Sequence, residues 1–409
     1  LKENPACMRV SRAFSPLLSS RRRRDFLRSR ATIHFLPTLV APTPLPKLLR
    51  GMCNSDGDAP EEGYQSQASL QPGTLSQVAT SSGKPVTIPG APSNGDNIQG
   101  RLVIEDFVVS FDGYAYKHGK IAYVQGRAPS PLVLVHPNYA GCKQFDVDQA
   151  AFLARVGYVG VALDFYKENP DYTFADRNPD KAIAPVGTPN SLSKRHYRGA
   201  FNTMNDLLKR PKFLRALIAA NLEKARQHPA AHKEYAASIG YCFGGQTILE
   251  QVRAGHKIQG VVSFHGLLQS YPLVNLFTSG QRRMTEEEYR SQVDTAPNNY
   301  NSQCKVLIEN GDLDDHVPQS ALDFWKKEMD EQNIDWRFNN HAQTPHGFAL
   351  APGVWSSRYV EAADRRSTLS MLSFFAELWP EFPQYEVECN ACGTMLGQSI
   401  TVKTRNSRL

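Results

Sequence analysis

Cysteine, histidine and aspartate form a hydrolytic relay when an imidazole takes the thiol proton and a carboxylate fixes the imidazole's tautomer. The residues that could do this begin with Ala237-Ser238-Ile239, an apolar strand that runs into Gly240-Tyr241-Cys242-Phe243-Gly244-Gly245-Gln246. Gly-x-Cys-x-Gly-Gly between a strand and a helix reads as a nucleophile elbow. The nucleophile of such a turn sits in a strained backbone conformation, and Gly240, Gly244 and Gly245 remove the Cβ atoms that would collide in the crossing. A thiol there lies at a helix N-terminus, whose N–H groups and dipole favour thiolate. The plain alternative is a glycine-rich turn around a buried cysteine.

The residues downstream weigh against that alternative. Lys305-Val306-Leu307-Ile308 is strand-like and opens into a loop holding Asp312, Asp314 and Asp315, ahead of His316-Val317-Pro318. An acid at the carboxyl end of a parallel strand faces the crevice where ligands bind. A second strand, around Trp336-Arg337-Phe338, leads to Thr344-Pro345-His346-Gly347-Phe348, which makes His346 the candidate base. Loop histidines are usually solvated, and His316 and His341 are expected to be so. Nucleophile, acid and base in this order are more specific than any one of them.

With these pieces the chain resembles the dienelactone hydrolase family, whose Cys, Asp and His act on a minimal α/β-hydrolase fold. The family spacing Gly-x-x-Asp-x-x-Val-Pro falls on Gly311, Asp314, Val317 and Pro318, so the resemblance assigns the acid to Asp314 and leaves Asp312 and Asp315 as turn residues that bond nearby backbone. Val261 to Leu268 is similar to a strand and turn of bacterial members, and Val133-Leu134-Val135-His136-Pro137-Asn138-Tyr139 to the strand and loop that complete the oxyanion hole. The likeness runs from about residue 102 to about 380. It implies a catalytic Cys242, Asp314 and His346, oxyanion donors at the backbone N–H groups of Phe243 and Asn138, and no cofactor or metal. The implied reaction is hydrolysis of a small ester or lactone through an acyl-thioester. Two positions depart from the family: Pro137 stands where the best-known members have a Glu that holds the resting cysteine, and Leu350 where dienelactone-cleaving members have an Arg for the substrate carboxylate. The rival reading is a hydrolase fold kept for binding, with Cys242 as a redox sensor. Tyr139, Tyr241, Phe243 and Phe348 are candidates for an aromatic pocket wall, and Arg195 and Arg198 for binding an anionic substrate group.

Apolar periodicity supplies the elements that must hold these residues. Two or three short strands run from Leu102 to Val124 with Asp112-Gly113 as a hairpin turn, and Pro131 to His136 is a continuous apolar strand of the kind buried on both faces. A helix with Phe145, Phe152, Leu153 and Val156 precedes a strand at Val159 to Leu163, and Asn190 to His228 is mostly helical. Strands over 235–240, 258–264, 305–309 and 334–339 alternate with helices over 245–254, 319–331 and from about Tyr359. This alternation predicts a single α/β domain over 101–380 with a doubly wound, mostly parallel sheet. Leu267 to Gln303 is an irregular insertion.

Charge is unevenly placed. Residues 1–51 hold eleven Lys and Arg against Glu3 and Asp25; of a total net charge of +6 this leaves −3 for the rest. The body is therefore no nucleic-acid binder. An Arg- and Ser-rich, acid-poor segment fits a mitochondrial or plastid transit peptide, or upstream translation ahead of Met52, with a cytoplasmic enzyme as the outcome of the second. Residues 52–100, rich in Ser, Gly, Pro and Asp, are expected to be a disordered linker, and 381–409 a tail. No apolar run of transmembrane length occurs. The seven scattered cysteines fit a reducing compartment, Cys389-x-x-Cys392 being half of a zinc knuckle without a second pair, and Cys142 a packing residue. The expected assembly is a monomer or homodimer.

Overall fold

The computed structural model describes residues 101–177, 191–269, 271–274, 282–293, 296–350, 358–382, 385–389 and 400–404. The basic segment, the linker and Cys392 lie outside the described residues. So do the side chains of Arg195 and Cys389.

The order opens with a hairpin, β1 (Leu102–Phe111) and β2 (Tyr114–Val124). Its turn residues Asp112 and Gly113 have φ of 50° and 68°, the double left-handed turn that matches the twist of paired strands. Strands of ten and eleven residues replace the two or three short ones expected. There follow β3 (Ser130–His136), α1 (Gln144–Arg155), β4 (Val159–Ala162), α2 (Ser191–Leu208) and α3 (Pro211–Arg226), the last started by a proline at its first position. Next come β5 (Ala231–Tyr241), α4 (Phe243–Arg253) and β6 (Gly260–Phe264). The stretch expected to be irregular contains a two-stranded ribbon, β7 (Leu273–Val274) with β8 (Arg282–Arg283), and α5 (Glu286–Gln292). Thr285 and Glu288 cap α5 reciprocally. The domain continues with β9 (Lys305–Leu313), α6 (Gln319–Glu331), β10 (Trp336–Pro345) and α7 (Glu361–Leu378). Beyond it, in place of a plain tail, β11 (Tyr385–Cys389) pairs antiparallel with β12 (Ile400–Thr404).

Eight strands form one sheet in the order β1-β2-β4-β3-β5-β6-β9-β10. β2 is antiparallel to β1 and to β4, and all pairings from β4 to β10 are parallel. The period-2 pleat sends alternate side chains of β3 to opposite faces: Leu132 and Leu134 join one core cluster with residues of α3, α4 and α6, and Val133 and Val135 join the other with α1 and α7. Helices on both faces explain why this strand is apolar from Pro131 to Val135. Leu134 is fully buried, and its truncation to alanine should cost about 2–5 kcal/mol. The loops that leave the carboxyl ends of β3, β5, β9 and β10 therefore gather at one edge of the sheet, and they carry Asn138, Cys242, Asp314 and His346 respectively.

Candidate active site

Cys242 joins β5 to α4 at φ 55° and ψ −113°, a region that a residue with a Cβ seldom occupies and that costs about 1–3 kcal/mol. The turn is pinned on both sides: the Cys242 N–H donates to the Phe264 carbonyl at 3.1 Å, and its own carbonyl accepts from Leu267 N at 3.1 Å and Gln246 N at 3.3 Å. Close approach explains Gly244. A Cβ there would lie 2.1 Å from the His136 carbonyl oxygen and 2.9 Å from that of Pro137, so the elbow presses on the loop leaving β3. That contact brings Phe243, the first residue of α4, to the loop carrying Asn138. As a first helical residue Phe243 has no intrahelical acceptor for its N–H. Asn138 is buried, its side-chain oxygen accepting from Ala140 N at 2.9 Å and from the buried Lys143 Nζ at 3.0 Å, which fixes the loop.

Gly311 does the same for the other two residues. A Cβ there would meet the Thr344 carbonyl oxygen at 2.2 Å, so only glycine lets the end of β9 lie against β10. β10 bulges between His341 and Pro345 and runs six residues beyond the end expected from its pattern. The result brings His346 onto Asp314: its Nδ1 lies 3.0 and 2.9 Å from the two carboxylate oxygens, both side chains being almost fully buried. Burial alone would lower the His346 pKa. The Asp314 charge, then the charge of Cys242 and the hydrogen bond to Asp314, outweigh it and raise the value to about 10. The structure thus brings Cys242, His346 and Asp314 together.

The remaining readings fare unevenly. Tyr139 stands beside the site, its ring stacked 4.5 Å from Phe201 and edge-on to Tyr197 at 5.6 Å. Burial, then the charges of Tyr197, Tyr172 and Cys242, push its phenol well above the usual range. Tyr241 is no wall residue; it packs beneath the sheet between Phe264 and Phe145. Phe348, in the turn after β10, likewise sits in the core against His265 and His341, and both side chains belong to the cluster that α1 and α7 cover. Phe243 is fully buried in the opposite cluster. Arg198 is exposed on α2. Asp312 accepts from the Asn340 side chain, and Asp315 from His316 and Arg358, rather than from backbone. His341 is not solvated but bonded to the buried Glu309 at 2.8 Å. His316 is buried too, its ring stacked on His346. Cys142 packs with its thiol donating to the His118 carbonyl.

Sequence reading missed Arg283, Arg358 and Tyr197 at this site. Arg283, on the inserted ribbon, donates from Nη2 to the His316 carbonyl at 2.5 Å, while its buried Nη1 has no acceptor and it forms no ion pair among the described residues. Burial lowers its guanidinium to about 10, with the charges of Asp314 and Cys242 acting the other way. Nothing in the sequence marked it, since two adjacent arginines are ordinary on surfaces. Asp314, His316 and His346 offer ligand atoms within 4.8 Å of one another. A dication has poor prospects there, since Asp314 is committed to His346, His316 Nδ1 to Asp315, and two guanidinium groups stand close by.

A sheet with one antiparallel edge, a strained cysteine at a strand-to-helix turn and an Asp and His on later strand ends define an α/β-hydrolase. The dienelactone hydrolase family model matches residues 119–379. The chain belongs to that family, and so to a family of hydrolases. An uncharacterized Caenorhabditis elegans protein, K02A2.1, is 26% identical over 172 residues, 40% of this chain and 93% of that one. Similar solved structures include P91, a dienelactone hydrolase-like promiscuous phosphotriesterase from metagenomic libraries, at 22% identity and TM-score 0.48, covering 68% of this chain and 98% of that one. A dienelactone hydrolase from Anabaena variabilis is 12% identical at TM-score 0.39, covering 66% and 97%.

Proposed function

We propose that this protein hydrolyses carboxylic ester or lactone bonds with Cys242 as nucleophile, through an acyl-thioester. The observation that carries the reading is the relay itself: a positive-φ cysteine whose charge acts on an imidazole whose Nδ1 is held by both oxygens of a buried carboxylate. His346 takes the thiol proton, and the sulfur attacks the carbonyl carbon. The oxyanion accepts from the N–H groups of Phe243 and Asn138, each such donor being worth about 3 kcal/mol in kcat. As the C–O bond breaks, the alkoxide takes the proton back from His346. Water then loses a proton to His346 and attacks the thioester, and the released thiolate is reprotonated. Asp314 keeps the Nδ1 proton in place so that the other ring nitrogen faces the sulfur.

Tyr139 and Tyr197 supply an aromatic side to the pocket. Pro137 offers no carboxylate to hold the cysteine at rest, and Leu350, buried, offers no cation. Arg283 is the cation beside Cys242, and a buried guanidinium N–H without an acceptor favours substrates that carry a carboxylate near the scissile bond. The test is a panel of p-nitrophenyl esters and lactones, with and without anionic groups. Wild type and Cys142→Ala should hydrolyse them, Cys242→Ala should not, and an acyl adduct on Cys242 should appear by mass spectrometry after a rapid quench. Hydrolysis by a folded Cys242→Ala protein would reject the assignment. A wild type that cleaves nothing in the panel yet oxidises reversibly at Cys242 would favour the redox reading.

A further inference from the structure

His316 immediately follows the acid loop and was expected in solvent, yet only 8% of it is exposed. Its ring lies on that of His346, with centroids 4.0 Å apart and planes 18° from parallel. Three groups hold it there. Its Nδ1 is 2.7 Å from Asp315 Oδ1, and since a carboxylate only accepts, the proton sits on Nδ1. Asp315 is in turn gripped by both Nη atoms of Arg358, at 2.9 and 3.2 Å. The backbone is fixed as well: His316 N donates to Asp314 Oδ1 at 2.8 Å, and its carbonyl accepts from Arg283. His265 meets the same His346 ring edge-on, at 5.1 Å and 71°.

We propose that His316 is a positioning residue: locked by Asp315 and Arg358, its flat ring covers one face of His346 and holds that imidazole in the plane that joins Asp314 to Cys242. This rests on the reading of His346 as the base. A proton shuttle needs one ring orientation. The Asp314 contact by itself fixes one end of the ring and leaves a swing about that end, which a packed face removes. The partner must also be uncharged, because two imidazolium rings 4.0 Å apart would repel. Burial first, and then the charge of His346, lower the His316 pKa to about 4 against the opposing pull of Asp315 and Asp314. His265 is held neutral by burial and by the same His346 charge. The charged groups facing this pair are thus Asp314, Asp315, Arg283, Arg358 and Cys242, and both neighbouring imidazoles stay neutral through the range where His346 works. Tilting the ring by a fraction of an ångström to one ångström at the sulfur is the kind of displacement that costs up to about a hundredfold in rate.

The experiment compares His316→Ala, which removes the face, with His316→Phe, which restores a flat ring but no Asp315 bond. Both are read for kcat, KM, melting temperature and the low-field proton NMR signal of the His346 Nδ1–H. His316→Ala should lower kcat about ten- to hundredfold with KM within about twofold, and broaden or shift the low-field signal. His316→Phe should recover most of kcat. Arg358→Gln should show a smaller loss in the same sense, since it only loosens Asp315. A folded His316→Ala enzyme with wild-type kcat and an unchanged signal would overturn the proposal, as would a folded His316→Phe enzyme no better than His316→Ala. Cys242→Ala, run in parallel, separates the two claims: activity in that variant sinks the cysteine mechanism, whereas its inactivity beside a fully active His316→Ala sinks only the positioning role.

Discussion

Replacing Gly244 by alanine tests how the elbow meets the loop that carries Asn138. The added Cβ would lie 2.1 Å from the His136 carbonyl oxygen, 2.8 Å from its carbon and 2.9 Å from the Pro137 oxygen. All three are backbone atoms, so no side chain can swing away, and the loop and the first turn of α4 must separate by about 1 Å to reach an ordinary contact. Overpacking of this kind costs about 1–3 kcal/mol of stability, or a fall of about 2–12 °C in melting temperature for a domain of this size. The kinetic effect should be larger. The same separation pulls the Asn138 and Phe243 N–H groups apart, and losing one oxyanion donor lowers kcat by about 10²–10³. The assay is steady-state hydrolysis of a p-nitrophenyl ester, with circular dichroism to show that the variant is folded. Gly126→Ala is the control: its φ is 87° and its Cβ would have nothing within 4 Å, so it strains a remote turn without touching the site. It should lose a little stability and no kcat. A folded Gly244→Ala enzyme with kcat near wild type would refute the placement of the oxyanion donors.

Three further outcomes follow from the same coordinates. Asp314→Asn should lower kcat by about 10³–10⁴, because both of its oxygens hold His346, whereas Asp315→Asn should stay within about tenfold and Asp312→Asn near wild type; a larger loss at Asp315 than at Asp314 would move the acid by one residue. Arg283→Gln should raise KM about ten- to hundredfold for esters bearing a carboxylate and leave neutral esters within about twofold, the worth of one charge-assisted hydrogen bond, and equal effects on both would show that Arg283 does not read substrate charge. Asp364, in the first turn of α7, is raised by burial from 3.8 to about 7, against the pull of the Tyr359 hydroxyl. The neutral form is the favoured one, so its stabilisation is complete below pH 3.8 and lost as pH rises through 7. The shift of about three units corresponds to about 4 kcal/mol, halved to about 2 because the side chain keeps some solvent contact. Urea melts of Asp364→Asn should therefore gain on wild type between pH 4 and pH 8, and a constant difference across that range would show that Asp364 does not titrate as argued.

What could be read from the sequence and what could not divide along a physical line. Repeating local patterns gave the sheet: β3 is apolar from Pro131 to Val135 because helices cover both faces, and the Asp112-Gly113 pair can hardly do anything but turn. Gly240, Gly244 and Gly245 were legible around Cys242 because a tight crossing tolerates few residue types. Misreadings came where contact depends on distant chain. Tyr241 stands next to Cys242 in sequence, but a strand alternates faces, so it points to the opposite core, and Phe348, in the turn after β10, packs into that same core. His316 looked like a solvated loop residue because the ring it packs on, His346, and the arginine that grips Asp315, Arg358, lie 30 and 42 residues away from it. Arg283 gave no signal at all, since neither periodicity nor a turn motif marks a side chain whose meaning comes from a ribbon folding back over the His316 carbonyl. His316, Arg358 and Arg283 stand on loops and on the inserted ribbon rather than on the eight-stranded sheet. In the proposed reaction the strand ends hold the relay, while the inserted ribbon and the residues around Asp314 would set which ester is accepted. Substrate preference should accordingly follow substitutions at Arg283, and loss of the reaction itself should follow substitutions at the ends of β5, β9 and β10.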